Sequence, residues 1–142
     1  MKPFEFVESK TYAIAGVSRD KKKFGNYVFR KLKEKGYMVL PLNPNATEID
    51  GSACYASISA LPADITHLVV ITPKNQTLQV VEDAVNKGIK NIWVQQSCET
   101  KEVMDFANGK NNNFIFKKCI MMYAEPKGMH KFHRFINDLF SK

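Results

Sequence analysis

Cysteine is scarce in this sequence, with three residues, Cys54, Cys98 and Cys119, spread over 142 positions. An odd number at wide spacing excludes a disulfide framework, and it lacks the paired spacing of a zinc site. Small buried side chains are therefore expected at these positions. Cys98 keeps a second interpretation as a reactive thiol, because it precedes a predicted helix start, where the pKa of a thiol can fall.

Long hydrophobic runs are absent as well. No apolar run approaches the roughly 20 residues that a membrane-spanning helix needs, and the first six residues have no apolar segment of signal-peptide length. The hydrophobic fraction of 44% and the charged fraction of 25% are typical of globular proteins. We expect one domain over residues 1–142, without a membrane partner and located in the cytoplasm.

Acidic residues are in the minority: 14 Asp and Glu stand against 21 Lys and Arg, which gives a formal net charge of +7. Such an excess suits either nucleic-acid phosphates or one small polyanion. Nucleic-acid binding would require these cations beside stacking aromatic residues on one surface, whereas the lysines are spread over several predicted helices and loops. The composition therefore favours a small-molecule ligand over nucleic acid, and it identifies no protein partner.

Runs of apolar residues rich in β-branched and aromatic side chains alternate with segments of helical periodicity. The predicted strands are Tyr12–Val17, Tyr37–Leu42, His67–Thr72, Asn91–Gln95 and Asn113–Phe116. The predicted helices are Phe24–Lys35, Pro73–Lys87, Glu99–Asn108 and Met129–Phe140. Such alternation predicts a parallel sheet between two layers of helices. We therefore expect an α/β fold, a single doubly wound, Rossmann-like domain with a mainly parallel five-stranded sheet.

The first predicted strand leads into a turn that carries glycine and several cations. Gly16 is followed by Arg19, the Lys21–Lys23 run and Gly25, at which point the first predicted helix has begun. A helix start leaves backbone N–H groups without partners and its dipole favours negative charge, while glycine allows a phosphate to approach closely. The segment is therefore predicted to be a phosphate-binding loop.

This turn departs from the usual NAD-binding pattern. Ser18 stands where a second glycine would be expected, and the second predicted strand ends in Asn43-Pro44, without the carboxylate that holds the ribose hydroxyls of NAD. An acid would repel a phosphorylated ribose, whereas an amide with nearby cations tolerates it. The pattern favours an adenine nucleotide with an extra phosphate. An NAD(P)-dependent oxidoreductase-like protein is the alternative, but no acid or base to face a nicotinamide is identifiable.

Several short segments occur in an order that resembles a known family. They are Gly16-Val17-Ser18 followed by Lys23-Phe24-Gly25, Pro41-Leu42-Asn43-Pro44, the stretch from Gly51 to Tyr55, Thr72-Pro73, Trp93-Val94-Gln95 and the stretch from Cys119 to Glu125. In these segments the chain resembles the small stand-alone coenzyme A-binding proteins, whose Rossmann-like domain is similar to the nucleotide domain of succinyl-CoA synthetase-type ligases. Ser97 is a departure, because the family commonly has glycine two places after the glutamine.

The resemblance implies non-catalytic binding of coenzyme A (CoA) or a short acyl-CoA. It places Gly16, Val17 and Ser18 along the diphosphate and the Asn43-Pro44 pair near the adenosine. Together with the neighbouring cations and strand ends, the predicted cofactor-binding residues are Gly16, Val17, Ser18, Arg19, Lys22, Lys23, Phe24, Gly25, Asn43, Pro44, Thr72, Pro73 and Gln95.

No catalytic residue is predicted, since no nucleophile and base form a recognisable pair. The chain is therefore expected to bind its cofactor without chemistry of its own. No metal site is predicted either: His130 and His133 lie three residues apart, but no acidic or cysteine partner has matching spacing. Trp93 is expected in the core.

Overall fold

The computed structural model describes residues 1–124. In chain order its elements are α1 (Pro3–Phe6), β1 (Thr11–Ala15), α2 (Phe24–Glu34), β2 (Met38–Leu42), β3 (Glu48–Ile49), β4 (Ser52–Ala53), a 3-10 helix (Ile58–Ala60), β5 (His67–Val70), α3 (Lys74–Lys87), β6 (Asn91–Gln95), α4 (Lys101–Ala107), β7 (Asn113–Lys118) and α5 (Met121–Ala124). The predicted helix Met129–Phe140 and the pair His130 and His133 lie outside the described residues.

Five strands form one parallel sheet in the order β2-β1-β5-β6-β7. A single parallel bridge between Leu42 and Tyr55 extends the sheet beyond β2. The Tyr55 N–H donates to the Pro41 carbonyl at 2.9 Å, and the Asn43 N–H donates to the Tyr55 carbonyl at 3.0 Å. Tyr55 therefore occupies the position of the third strand of a Rossmann sheet. The strand order reverses between β1 and β5, which leaves a crevice at their carboxyl ends.

Both faces of the central strands are buried, as expected for a sheet covered by helices on each side. Tyr12 and Ile14 of β1 belong to one hydrophobic core, whereas Ala13 and Ala15 belong to the other. The first core includes residues of α1, α2 and α5, and the second includes residues of α3 and α4. This arrangement confirms the predicted α/β fold with a five-stranded parallel sheet. Trp93 is fully buried, as predicted.

Two strands end earlier than predicted. β1 stops at Ala15 and β5 at Val70, because the backbone leaves the sheet there to form the loops of the crevice. A short hairpin formed by β3 and β4 was not predicted, although Asp50-Gly51 at its tip is a strong hairpin signal. Both of these residues have positive φ, +48° and +80°. Within residues 1–124, no helix is long and apolar enough to cross a membrane.

Candidate functional site

Two adjoining cavities open at the carboxyl end of the sheet. The β2-side cavity, of about 620 Å³, lies between the Gly16–Ser18 turn, the loop after β2 and the start of α3. The β6-side cavity, of about 410 Å³, lies between the same turn, the start of α2 and the loop after β6. Gly16, Ser18 and Thr72 line both cavities. Each volume is within the usual range for small-molecule sites, and the shared wall gives one extended crevice.

The crevice brings together most of the predicted site residues. Val17, Asn43 and Pro44 line the β2-side cavity, in addition to the three shared residues. The predicted residues that line the β6-side cavity are Lys23, Phe24, Gly25, Pro73 and Gln95. Arg19 and Lys22 are exposed and line neither of these two cavities.

Gly16 and Gly25 serve close backbone packing. Gly16 has a φ of +94°, and a Cβ there would overlap the carbonyl oxygen of Ile71. A Cβ on Gly25 would overlap the carbonyl oxygen of Gly16. The two glycines therefore let α2 lie against the turn and the turn against the end of β5. From the sequence, glycine at position 16 was expected to let a phosphate approach. In the structure a Cβ there would instead meet the backbone just after β5, so glycine is needed for close backbone packing.

The backbone N–H groups of the turn are only partly available to a ligand. The N–H groups of Gly16 and Val17 both donate to the Leu42 carbonyl at 3.3 Å. In the described part of the chain, by contrast, those of Ser18 and Arg19 donate to no protein acceptor. The donors that could meet an anion therefore lie two and three residues after Gly16.

Helix α2 begins without a side-chain cap. Its N-cap residue, Lys23, makes no capping hydrogen bond within residues 1–124, and its first turn contains no acidic residue. Helix α3 begins in the same way after Pro73. In α4, however, the Thr100 hydroxyl accepts the Val103 N–H at 3.1 Å. The positive ends of α2 and α3 thus keep N–H groups for a ligand at the crevice.

Asn26, in the first turn of α2, fixes the shape of the turn. Its side chain is fully buried, and its Nδ2 donates to the Ser18 carbonyl at 2.7 Å and to Asp50 Oδ2 at 3.2 Å. Its Oδ1 accepts a hydrogen bond from Arg30 Nε at 2.7 Å. Sequence reasoning missed this residue; the available signal was a polar side chain three residues before Phe29, on the apolar face of α2.

Asn43 connects the loop after β2 to the same turn. Its Nδ2 donates to the Val17 carbonyl at 2.9 Å, and its Oδ1 accepts the Asn45 N–H at 2.8 Å. Both polar ends of the amide therefore have protein partners. Asn43 lines the cavity where it was predicted to meet an adenosine, but its amide group primarily holds the backbone.

Gln95 ends β6 with an amide group that is only half satisfied. The side chain is 1% exposed, and its Oε1 accepts the Ile120 N–H at 3.1 Å. Its Nε2 has no hydrogen-bond acceptor of ordinary geometry among residues 1–124. The sulfur of Cys119, a weak acceptor, is close enough for the amide to lower the pKa of that thiol, which burial raises more strongly. Gln95 is therefore a buried donor without a strong partner.

Cys98 lines the β6-side cavity and is partly buried. Burial, followed by the negative charge of Glu99, raises the pKa of its thiol to about 11, and a backbone hydrogen bond at Thr72 and the charge of Lys74 oppose the rise only weakly. The thiol is therefore protonated at neutral pH. The lowered pKa considered from the sequence is wrong, because burial outweighs the nearby helix start.

The part of the chain that the structure describes contains no group of three His, Cys, Asp or Glu side chains that could hold a metal ion.

Comparison with known proteins gives a consistent result. A family model described as CoA binding domain matches residues 10–125. The alpha subunit of an ADP-forming acetate–CoA ligase II from Pyrococcus furiosus is 27% identical over 126 residues, which are 81% of this chain and 28% of the subunit. The chain thus spans little more than a quarter of that relative.

Solved structures show the same relationship. A conserved hypothetical protein from Pyrococcus furiosus superimposes with a TM-score of 0.76 at 38% identity, over 79% of this chain and 97% of the other. The dinucleotide-forming acetyl-coenzyme A synthetase 1 of Candidatus Korarchaeum cryptofilum, in complex with phosphate and ADP, gives a TM-score of 0.66 at 27% identity, over 74% of this chain and 25% of the other. Because the family model covers most of its length, the chain belongs to the CoA-binding domain family.

Proposed function

We propose that this protein binds CoA or a short acyl-CoA non-covalently along the crevice and performs no chemistry of its own. One observation carries the proposal: two cavities of ligand size meet at a turn with available N–H groups, beside the uncapped start of α2. An elongated ligand with a central diphosphate fits this arrangement, because its charge would lie at the helix start while its two ends occupy the two cavities.

The orientation follows from the topology. In Rossmann sheets the diphosphate lies at the start of the first crossover helix and the ribose lies near the end of the second strand. The N–H groups of Ser18 and Arg19 would then face the diphosphate, with the Lys23 ammonium beside it. The adenosine would lie in the β2-side cavity near Pro44. The pantetheine arm would extend into the β6-side cavity.

Charge supports a polyanionic ligand. Arg19 and Lys22 line neither cavity of the described structure, but both are exposed beside the turn that lines both cavities. Exposed cations that lie outside a binding cavity attract a polyanion to it without fixing the position of the polyanion. Asp83 is the one acidic side chain that lines the β2-side cavity among the described residues, and it is exposed, so solvent and salt screen its repulsion of a phosphate.

The named relatives suggest a biological setting. Two of them, a CoA ligase subunit and an acetyl-CoA synthetase, are several times longer than this chain, which aligns with one segment of each. We infer that the chain presents or carries CoA, a task that involves a protein partner.

Isothermal titration calorimetry with CoA and NAD tests the proposal. We expect CoA to bind more tightly than NAD, since Asn43 stands where an acid would hold the NAD ribose. Equal affinities, or tighter binding of NAD, would overturn the assignment and favour the oxidoreductase-like alternative.

Two neighbouring charge reversals test where the diphosphate lies. Lys23 lines the β6-side cavity at the start of α2, whereas Lys22 is exposed outside both cavities of residues 1–124. We expect Lys23→Glu to weaken CoA binding about tenfold more than Lys22→Glu, because the two variants share net charge and differ in proximity. Equal losses in calorimetry would indicate long-range attraction alone and would contradict the proposed position.

A further inference from the structure

The β6-side cavity contains a polar group that the protein leaves without a strong partner. Gln95 is 1% exposed, and its Nε2 finds no acceptor of ordinary geometry in the described residues. Buried donors are nearly always paired, and an unpaired one costs free energy until some group satisfies it. An orphaned donor in the wall of a ligand-sized cavity therefore points to a ligand that brings an acceptor.

The rest of this cavity indicates what kind of group the ligand brings. Its wall combines apolar surface from Phe24, Ile71 and Pro73 with the protonated Cys98 thiol. The Cys119 sulfur beside Gln95 is a poor acceptor. A compact apolar group with one good acceptor oxygen would suit this wall. Lys23 is the charged side chain that lines the cavity in the described residues, and the proposed function places it beside the diphosphate, so a charged acyl group would lose its hydration without a partner of its own.

We propose that the β6-side cavity receives the acyl end of a thioester, and that Gln95 Nε2 donates a hydrogen bond to the thioester carbonyl oxygen. This inference rests on the proposed function, because the pantetheine arm must extend from the turn towards β6. It makes a short, uncharged acyl-CoA the preferred ligand over free CoA. The thiol of free CoA would offer Gln95 another sulfur, which is no better an acceptor than the one already present.

The orientation of the amide is fixed independently of any ligand. Gln95 Oε1 accepts the Ile120 N–H at 3.1 Å, and this contact requires the oxygen on that side. The NH₂ group is then the remaining end of the amide, a donor. Gln96 is a useful contrast, since it lines the same cavity but is exposed, so that water can satisfy its amide.

Calorimetry with three ligands separates the hydrogen bond from simple filling of the cavity. The ligands are CoA, acetyl-CoA and S-ethyl-CoA, a thioether of nearly the same shape as acetyl-CoA that lacks the carbonyl oxygen. We expect the wild-type protein to bind acetyl-CoA about tenfold more tightly than either of the others, the effect of one well-made buried hydrogen bond. Equal binding of all three would overturn the inference while leaving the proposed function intact. Failure of every ligand to bind would instead remove the proposed function.

Two variants locate the effect. Gln95→Met should reduce the preference for acetyl-CoA over S-ethyl-CoA to within about twofold, while the control Gln96→Met should retain the wild-type ratio. If loss of the Ile120 contact prevents Gln95→Met from folding, Gln95→Glu keeps an acceptor for that N–H and replaces the donor by a second oxygen. Burial raises the pKa of a carboxyl group, so Gln95→Glu is measured from pH 7 to pH 9, and the preference should disappear as the carboxyl group loses its proton and with it the donor. A wild-type ratio in the Gln95 variant that folds would overturn the inference.

Discussion

Ser97 adopts a backbone conformation that glycine reaches more easily. Its φ is +74°, in the loop after β6 that forms one wall of the β6-side cavity. The family that the sequence resembles commonly has glycine at this position, and the positive φ gives the physical reason. An L-residue in the left-handed region carries a strain of about 1–2 kcal/mol. The loop retains its shape because its flanking residues are tied down: the Gln96 N–H donates to the Lys118 carbonyl at 3.1 Å.

Replacing this serine tests the strain. Ser97→Gly should raise the free energy of unfolding by about 0.5–1 kcal/mol, because relief of strain exceeds the extra entropy that glycine gives the unfolded chain. Ser57→Gly is the matched control, since Ser57 has an extended φ of −153° and gains nothing from glycine. Urea denaturation of both variants measures the difference. No stabilisation by Ser97→Gly relative to Ser57→Gly would show that the Ser97 loop is unstrained.

At the residue scale, the sequence predicted which residues lie together at the crevice but often missed the hydrogen bonds that their side chains make. Strand ends and a glycine-bearing turn identify the crevice, because parallel strands place their carboxyl ends together. The partners of Asn43 and Asn26 depend on which carbonyl groups the loops bring near, and local patterns carry no such information. The half-satisfied amide of Gln95 was equally hidden, since its partner Ile120 is 25 residues away in the chain.

Helix α2 packs both on the hydrophobic core and on the Gly16–Ser18 turn. Its core-facing residues Val28, Phe29 and Leu32 are fully buried, and they lie at helical spacing within the predicted helix Phe24–Lys35. The close approach at its first turn, where Gly25 meets the Gly16 carbonyl, is a separate constraint. This contact sets the distance between the helix start and the crevice.

Gly25→Ala tests that contact. Gly25 has no positive φ, so its cost comes from overlap alone, and we expect the free energy of unfolding to fall by about 2–3 kcal/mol. The control is Gly109→Ala: its φ is +94°, and none of the described atoms lies within 4 Å of the added Cβ, so a loss of about 1 kcal/mol is expected. Chemical denaturation compares them. A milder effect for Gly25→Ala would mean that α2 does not pack against the turn as described.

Strands and helices with regular apolar patterns were predictable, whereas irregular elements were not. β6 lies at Asn91–Gln95 as predicted, since the sequence there contains a continuous apolar run, Ile92-Trp93-Val94. The β3–β4 hairpin has two residues in each strand, too few for alternation to show. The third-strand position holds Tyr55 alone, which no pattern could indicate.

For the whole molecule, the two ends of the sheet have different roles. The carboxyl end carries the crevice, and the amino end is closed by an aromatic cluster that stabilises the fold. There the Phe6 ring stacks on Tyr12 with centroids 5.5 Å apart and meets Trp93 edge-on at 5.3 Å. His67, the first residue of β5, joins this cluster with its ring 4.8 Å from that of Phe6. A change in His67 should therefore report on global stability with little effect at the crevice.

Burial lowers the pKa of His67, so its neutral form is favoured in the folded protein. Between this lower pKa and the ordinary value of about 6.5, the unfolded chain binds more protons than the folded one, and stability must rise with pH. As the pH falls below the ordinary value and through the folded pKa, the wild-type protein should therefore lose stability.

His67→Gln cannot titrate and should show a shallower dependence of stability on pH over the same range, although it loses some ring packing at every pH. Thermal unfolding of both proteins from pH 8 to pH 5 measures the two slopes, and His130 and His133, present in both, cancel in the comparison. Parallel slopes would show that His67 titrates alike in the folded and unfolded chains, which would contradict its place among the buried rings.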